Sequence, residues 1–191
     1  MHFIGVDVGT ASARAGVFDQ SGALLGSASR PIRMWRERPD HVEQSSDDIW
    51  SAVAASVRAA CAQAGIAPEQ VAGIGFDATC SLVVLDRQAC PLAVNAEGEN
   101  ARNVIVWMDH RATPQAKRIN ATGARVLDYV GGPDIAGNAD AEAVVAGRGT
   151  ARDLRRGRPF HGPDRLPDMA RDRQPVAIHL HGDLQVDLSR P

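Results

Sequence analysis

Three short runs of alternating apolar and polar residues lie almost end to end at the start of the chain, at 2–8, 13–19 and 23–30. Only Gly9-Thr10-Ala11-Ser12 and Gln20-Ser21-Gly22 separate them. Alternation of this kind marks half-buried strands, and gaps of three or four small polar residues with a glycine are hairpin turns. So short a connection leaves no room for a crossover helix, and the three strands must form an antiparallel meander. That excludes a doubly wound dinucleotide fold, which opens with one strand and then a helix.

After the meander, residues 36–44 are polar and are expected to form a loop. Ser45 or Ser46 is placed to cap a helix, with Asp47 and Asp48 near the positive end of its dipole. The helix is expected to run to Ala64 with an apolar stripe of Ile49, Trp50, Val53, Val57, Ala60 and Cys61, and to stop at Gly65. Trp50 is expected in the core. Strands follow at 71–76, 81–85 and 104–107, a helix from Arg111 to Gly123, and a further helix from Ala124 that includes Val126, Leu127 and Tyr129.

Composition narrows the partners. A chain of 191 residues with 44% hydrophobic residues can bury one ordinary core. The net charge of -2 gives no field that would hold nucleic acid or a membrane surface. There is no apolar run near the roughly 20 residues of a membrane span. The first residues lack the basic leader and long apolar core of a signal peptide. Cys61, Cys80 and Cys90 have neither paired nor metal-type spacing, which fits reduced thiols in the cytoplasm. His179 and His181 stand in His-x-His spacing without a supporting ligand pattern.

Three motifs carry chemistry. In the first, Gly5-Val6-Asp7-Val8-Gly9-Thr10-Ala11-Ser12-Ala13-Arg14, a glycine turn between strands lets backbone N–H groups approach phosphate oxygens. Thr10 and Ser12 add hydroxyls, and Asp7 at a strand end suits Mg²⁺ beside a polyphosphate. In the second, a buried strand ends in Asp77-Ala78-Thr79-Cys80-Ser81. Polar side chains at a strand end can point into a cleft. In the third, Trp107-Met108-Asp109-His110-Arg111 brings an indole, a carboxylate and a guanidinium together. Such a trio suits a polyol, whose hydroxyls need acceptors and donors and whose C–H faces pack on a ring. Each motif alone also has a plain structural reading: an ordinary hairpin, a β-turn with a cysteine, and a helix start with Asp109 as its cap. Trp35 among Arg33, Arg36 and Arg38 reads as a surface-packed ring, and His41 as a loop residue.

Together these motifs, in this order over residues 1–132, resemble the FGGY carbohydrate kinases. The resemblance implies an α/β, ribonuclease-H-like fold, as in actin, hexokinase and sugar kinases, here an incomplete N-terminal domain. It implies ATP and Mg²⁺, with Asp7, Gly9, Thr10, Ser12 and Arg14 at the nucleotide phosphates and Asp7 at the metal. It implies a small sugar or polyol, met by Asp77, Thr79, Cys80, Trp107, Asp109 and Arg111. The form Phe76-Asp77-Ala78-Thr79-Cys80-Ser81 is similar to the ribulokinase-like branch, whose substrates are pentuloses such as ribulose or pentitols such as ribitol. Intact members act in the cytoplasm, can be homodimers, and use an aspartate general base that lies beyond the matching region, so no catalytic residue is assigned here. A non-catalytic sugar-binding module and an actin-like ATPase domain are the alternatives on the same fold.

From Pro133 onward the character of the chain changes. Lysine disappears, Phe160 is the one aromatic residue, and Arg, Asp, Gly and Pro accumulate. In the family, Tyr129-Val130-Gly131-Gly132 is expected to continue as Ser-Pro-Glu-Met and a Lys-Leu-Leu-Trp helix. Ordinary codons for Ile135 to Gly147, read from the second base of the Ile135 codon, spell Ser-Pro-Glu-Met-Gln-Thr-Pro-Lys-Leu-Leu-Trp-Leu. The same offset across Met169-Ala170 forces a tryptophan, and at residues 178–189 it allows Ser-Ile-Cys-Thr-Val-Thr-Cys-Lys-Trp-Thr-Tyr. Residues 133–191 are therefore expected to be a frame-shifted, poorly ordered tail, and the chain an inactive fragment of a kinase. A short helix is conceivable over 140–146.

Overall fold

The computed structural model describes residues 1–86, 88–129 and 176–179. They fall into two compact units: residues 1–34 with 47–80, and residues 35–46 with the described residues from 81 to 179.

The first unit is a four-stranded sheet with a helix on one face. Strands β1 (His2–Val8), β2 (Ser12–Phe18) and β3 (Leu24–Pro31) form the expected meander. The chain then makes strand β4 (Glu43–Gln44), which belongs to the second unit, and helix α1 (Ser46–Ala64). Strand β5 (Val71–Ala78) returns parallel to β1, so the order is β3-β2-β1-β5. A helix lies between β1 and β5, as a parallel pairing requires.

The alternation read from the sequence decides the faces. Ile4, Val6 and Val8 of β1 and Ala13, Ala15 and Val17 of β2 are buried beneath α1, packed with Ala52, Val53 and Ala60. Ser56 of α1 is also buried and donates from Oγ to the Ala13 carbonyl at 3.0 Å. Gly26 of β3 lets the helix come this close, because a Cβ there would stand 2.6 Å from the Ala60 carbonyl oxygen and 2.8 Å from the Ala64 nitrogen. The buried stripe of α1 is therefore centred on small residues. Trp50, expected in the core, is instead 47% exposed. At 3.6 residues per turn it sits about 105° from the centre of the buried positions Ala52, Val53, Ser56 and Ala60, on the flank of the helix and not between helix and sheet. Gly65, at φ +67°, ends the helix as expected.

The second unit contains an antiparallel sheet of order β4-β7-β6-β8. Its strands besides β4 are β6 (Leu82–Leu85), β7 (Val104–Ile105) and β8 (Val176–His179). Glu43 and Gln44, expected in a loop, pair with Ile105 and Val104. The ladder of β7 stops two residues earlier than expected, because the Val106 N–H goes to the Val42 carbonyl (3.0 Å) and the Asp109 N–H turns back to Val106 (2.8 Å). Leu82, Val84 and Ile105 form a small core with Leu92 and Val94. Helix α2 (Thr113–Asn120) begins two residues after Arg111, since the Asp109 carboxylate takes the Arg111 N–H (2.9 Å) and holds the chain in a turn. Arg125–Tyr129 is a single 3₁₀ stretch. Residues 140–146 and the rest of the expected tail, apart from β8, lie outside the described residues. Among the described residues no helix is long and apolar enough to cross a membrane.

Candidate functional site

In the first unit, the β1–β2 turn places the proposed phosphate loop. The Gly9 N–H closes the turn on the Ser12 carbonyl (3.0 Å), and the Ile32 N–H pins it through the Ala11 carbonyl (2.9 Å). A Cβ on Gly9 would press on that Ser12 oxygen at 3.3 Å, so the tightness of the turn depends on glycine. Thr10 and Ser12 are half-buried in the turn.

Register determines what stands beside it. Asp7 pairs with Arg14 across β1 and β2 and with Asp77 across β1 and β5. Residues directly opposite in a sheet share a face, so Arg14, Asp7 and Asp77 form a row on the face away from α1. Arg14 donates to Asp7 Oδ2 in an ion pair whose partners are 62% and 46% exposed. Asp77 is exposed as well. The Thr79 N–H extends the ladder by bonding the Val8 carbonyl (3.1 Å), which leaves Thr79 half-buried and Cys80 exposed at the strand's end.

Among the described residues no three His, Cys, Asp or Glu side chains gather as a metal cage. Mg²⁺ does not require one: it is commonly held by one or two carboxylates, water and phosphate oxygens. Asp7 and Asp77, neighbours across β1 and β5, would fit such a donor set. His41 pairs through Nδ1 with Asp40 at 2.8 Å. His179 is the last residue of β8.

In the second unit the expected trio separates into an exposed ring and a buried ion pair. The Trp107 side chain is exposed, with the residue 44% accessible, and its backbone N–H donates to Ser81 Oγ (3.3 Å). Asp109 is wholly buried. Its oxygens accept from the Val42 N–H (2.6 Å) and from Arg111 Nε and Nη2 (2.9 and 2.7 Å). Arg111 reaches on to Glu43 Oε1 (2.7 Å) and the Val94 carbonyl (3.0 Å). Glu43, buried in turn, receives Arg102 on its other oxygen at 2.6 Å, and Arg102 also meets Glu37 at 2.9 Å. Burial opposes the charge on Arg111, but Asp109 and Glu43 outweigh it and hold the guanidinium above its ordinary value. Arg102 behaves likewise against Glu43 and Glu37, and its guanidinium lies 6.0 Å over the Trp35 ring. This network floors a cavity of about 530 Å³ rimmed by Arg38, His41, Asn95 and Gln115.

Reading the sequence did not single out Glu43, Arg102 or Asn103. Asn103 is buried and bridges Ser46 (Oγ, 3.0 Å) and the Val84 carbonyl (3.0 Å). One signal was available: Arg102-Asn103 directly precedes the apolar run 104–106, where a charge next to a buried strand needs a partner.

Residues 2–127 match the model of the FGGY family of carbohydrate kinases, N-terminal domain. An FGGY carbohydrate kinase domain-containing protein of Homo sapiens is 54% identical over 131 residues, which is 69% of this chain and 23% of that protein. A D-ribulokinase of Saccharomyces cerevisiae is 48% identical over 132 residues, 68% of this chain and 18% of that protein. The chain thus spans about a quarter or less of the length of the curated relatives it matches. Among solved structures, a xyloylose kinase from Brucella ovis superposes with a TM-score of 0.68 at 21% identity, covering 80% of this chain and 30% of that one. A xylulose kinase from Rhodospirillum rubrum does so with 0.56 at 23% identity, covering 64% and 23%. The fold is therefore the ribonuclease-H-like fold of the sugar kinases, represented by its N-terminal part. The chain belongs to the FGGY family of carbohydrate kinases, and residues 2–127 are its match to the family's N-terminal domain.

Proposed function

We propose that residues 1–132 are the nucleotide-phosphate and sugar-contact portion of an ATP-dependent kinase acting on a pentulose or pentitol, such as ribulose or ribitol. The observation that carries this reading is the row Arg14–Asp7–Asp77 beside the Gly9 turn. Mg²⁺ bound at Asp7, alone or with Asp77, would neutralise a polyphosphate. Gly9, Thr10 and Ser12 would hold phosphate oxygens, and Arg14 would pair with a phosphate as readily as it pairs with Asp7. In the same unit Asp77, Thr79 and Cys80 are the candidates for sugar hydroxyls. In the second unit Trp107 offers an indole face to C–H groups, with Asp109 and Arg111 following it in the chain as a buried pair. The 48% identity to a D-ribulokinase supports the pentulose class. The near-neutral charge fits a cytoplasmic enzyme of small molecules without nucleic acid or membrane partners.

We further propose that residues 133–191 are a frame-shifted reading of the sequence that continues the domain. This chain is then expected to support no turnover alone, because the aspartate general base of the family lies beyond the matching region. A coupled ATPase assay with ribulose, ribitol and xylulose tests this; turnover comparable to that of a complete kinase would refute it. Sequencing the coding DNA tests the frame: removal of a single offset near codon 133 should restore Ser-Pro-Glu-Met. Alignment with related kinases in one unbroken frame across that codon would refute it.

A further inference from the structure

We propose that Glu43, Arg102, Asp109 and Arg111 act as one buried frame that positions Trp107, so that Asp109 and Arg111 serve a sugar by placing the indole and not by touching it. This deepens the reading above and rests on Trp107 being a sugar contact.

The case starts from the backbone around the ring. Trp107 lies on an arc, residues 106–109, that is neither strand nor helix. Such an arc has no ladder of its own to hold it, and hydrogen bonds substitute, among them one from Arg36 Nη2 to Met108 Sδ (3.0 Å) and the following four. Val106 N–H bonds Val42 (3.0 Å), Asp109 N–H bonds Val106 (2.8 Å), Val42 N–H bonds Asp109 Oδ2 (2.6 Å), and Trp107 N–H bonds Ser81 Oγ (3.3 Å). Val42 takes part in two of these, and so does Asp109, through its N–H and through Oδ2.

Asp109 has no open valence for a hydroxyl. It is fully buried, and both oxygens already accept from Arg111. Its orientation therefore depends on Arg111, whose guanidinium is fixed on its other side by Glu43 Oε1 and by the Val94 carbonyl. Glu43 is fixed by Arg102 at its second oxygen and by its place in β4, next to Val42. The chain of contacts thus closes on the residue that holds the arc. Two buried carboxylates, Glu43 and Asp109, balance two nearly buried guanidiniums, Arg102 and Arg111. A buried set of this kind is satisfied only in one geometry, so it specifies position. The outermost member, Glu37, is 54% exposed and gives a mild way to loosen Arg102 without emptying the core.

The test labels the tryptophans of the 191-residue chain with 5-fluorotryptophan and follows Trp107 by ¹⁹F NMR, with Trp→Phe variants for assignment. Glu43→Gln and Asp109→Asn should shift and sharpen the Trp107 resonance toward that of a mobile ring. Glu37→Gln and Arg102→Lys should move it less in the same direction. Trp50, in the other unit, should stay unchanged in all four and report that the first unit has folded, while retained far-ultraviolet circular dichroism reports the rest. Ribulose, ribitol or xylulose should perturb the Trp107 resonance in the parent chain, with an affinity on the order of tenfold or more weaker in Glu43→Gln. A Trp107 resonance that is unmoved by Glu37→Gln, Arg102→Lys and Glu43→Gln, while Asp109→Asn alone weakens sugar binding, would overturn the frame and make Asp109 a direct contact. A parent chain whose Trp107 ignores all three sugars would instead remove the sugar-contact reading, which the ligand-free spectra do not depend on.

Discussion

Asp7 and Asp77 face each other across β1 and β5, parallel neighbours in register, with Arg14 on the other flank of Asp7. Strands in a sheet lie about 4.8 Å apart, so two negative charges adjoin and one positive charge offsets them. A divalent cation must compete with Arg14 for Asp7. Arg14→Ala is therefore expected to strengthen binding of Mn²⁺ alone and Asp7→Asn to abolish it, as measured by water-proton relaxation. Because the ion pair is exposed, neither change should alter stability by more than about 1 kcal/mol. Equal Mn²⁺ binding in the parent and Asp7→Asn would remove the metal from this position.

Gly26→Ala tests the packing of α1 on the sheet. The added methyl group would meet backbone atoms of Ala60 and Ala64 at 2.6 and 2.8 Å, and backbone cannot rotate away as a side chain would. A loss of about 1–3 kcal/mol is expected in urea unfolding, whereas Gly75→Ala, which has open space before it, should cost less.

Cysteine reactivity should divide the thiols. Burial pushes the Cys61 thiol up from its ordinary pKa, while Cys80 and Cys90 are exposed. Since the thiolate is the nucleophile, iodoacetamide at pH 8 should modify Cys80 and Cys90 well before Cys61, as read by peptide mass spectrometry. Equal rates at all three would contradict the placement of Cys61 against the sheet.

Two carboxylates set an acid limit. Asp19 lies below its ordinary pKa because it accepts from the Ser21 hydroxyl and the Ala23 N–H. Asp40 lies below it chiefly through its hydrogen bond with His41. A group depressed on folding adds stability above its unfolded pKa and loses it as pH falls through the folded one. Urea midpoints should therefore hold down to the ordinary aspartate value near 3.8 and fall beneath it. Asp19→Asn should flatten part of that fall; an unchanged acid slope would argue against the Asp19 turn.

Much of this was legible in the sequence where periodicity governs. The meander, α1 and β5 follow from alternation, a cap and a terminal glycine, because their partners are near in the chain or supplied by one amphipathic face. Trp50 was misplaced because the stripe was drawn through the largest side chains, whereas close approach at Gly26 selects the smallest. Glu43 was invisible for a different reason. Its partners Arg102 and Arg111 lie 59 and 68 residues away, and a two-residue strand leaves no period. Asp109 and Arg111 were identified as a pair that matters, but nothing local distinguishes a carboxylate aimed at a ligand from one aimed at its neighbour.

The narrow gap over Gly26 does more than admit the helix. If β3 slid by one residue along β2, either Leu25 or Ser27 would be driven into the carbonyl of Ala60. Slippage of the hairpin is thus blocked from outside the sheet, by a helix that the chain makes only after the three strands are complete. The alignment that sets Arg14 across from Asp7 is inherited by a sheet whose outermost seam has been keyed in place.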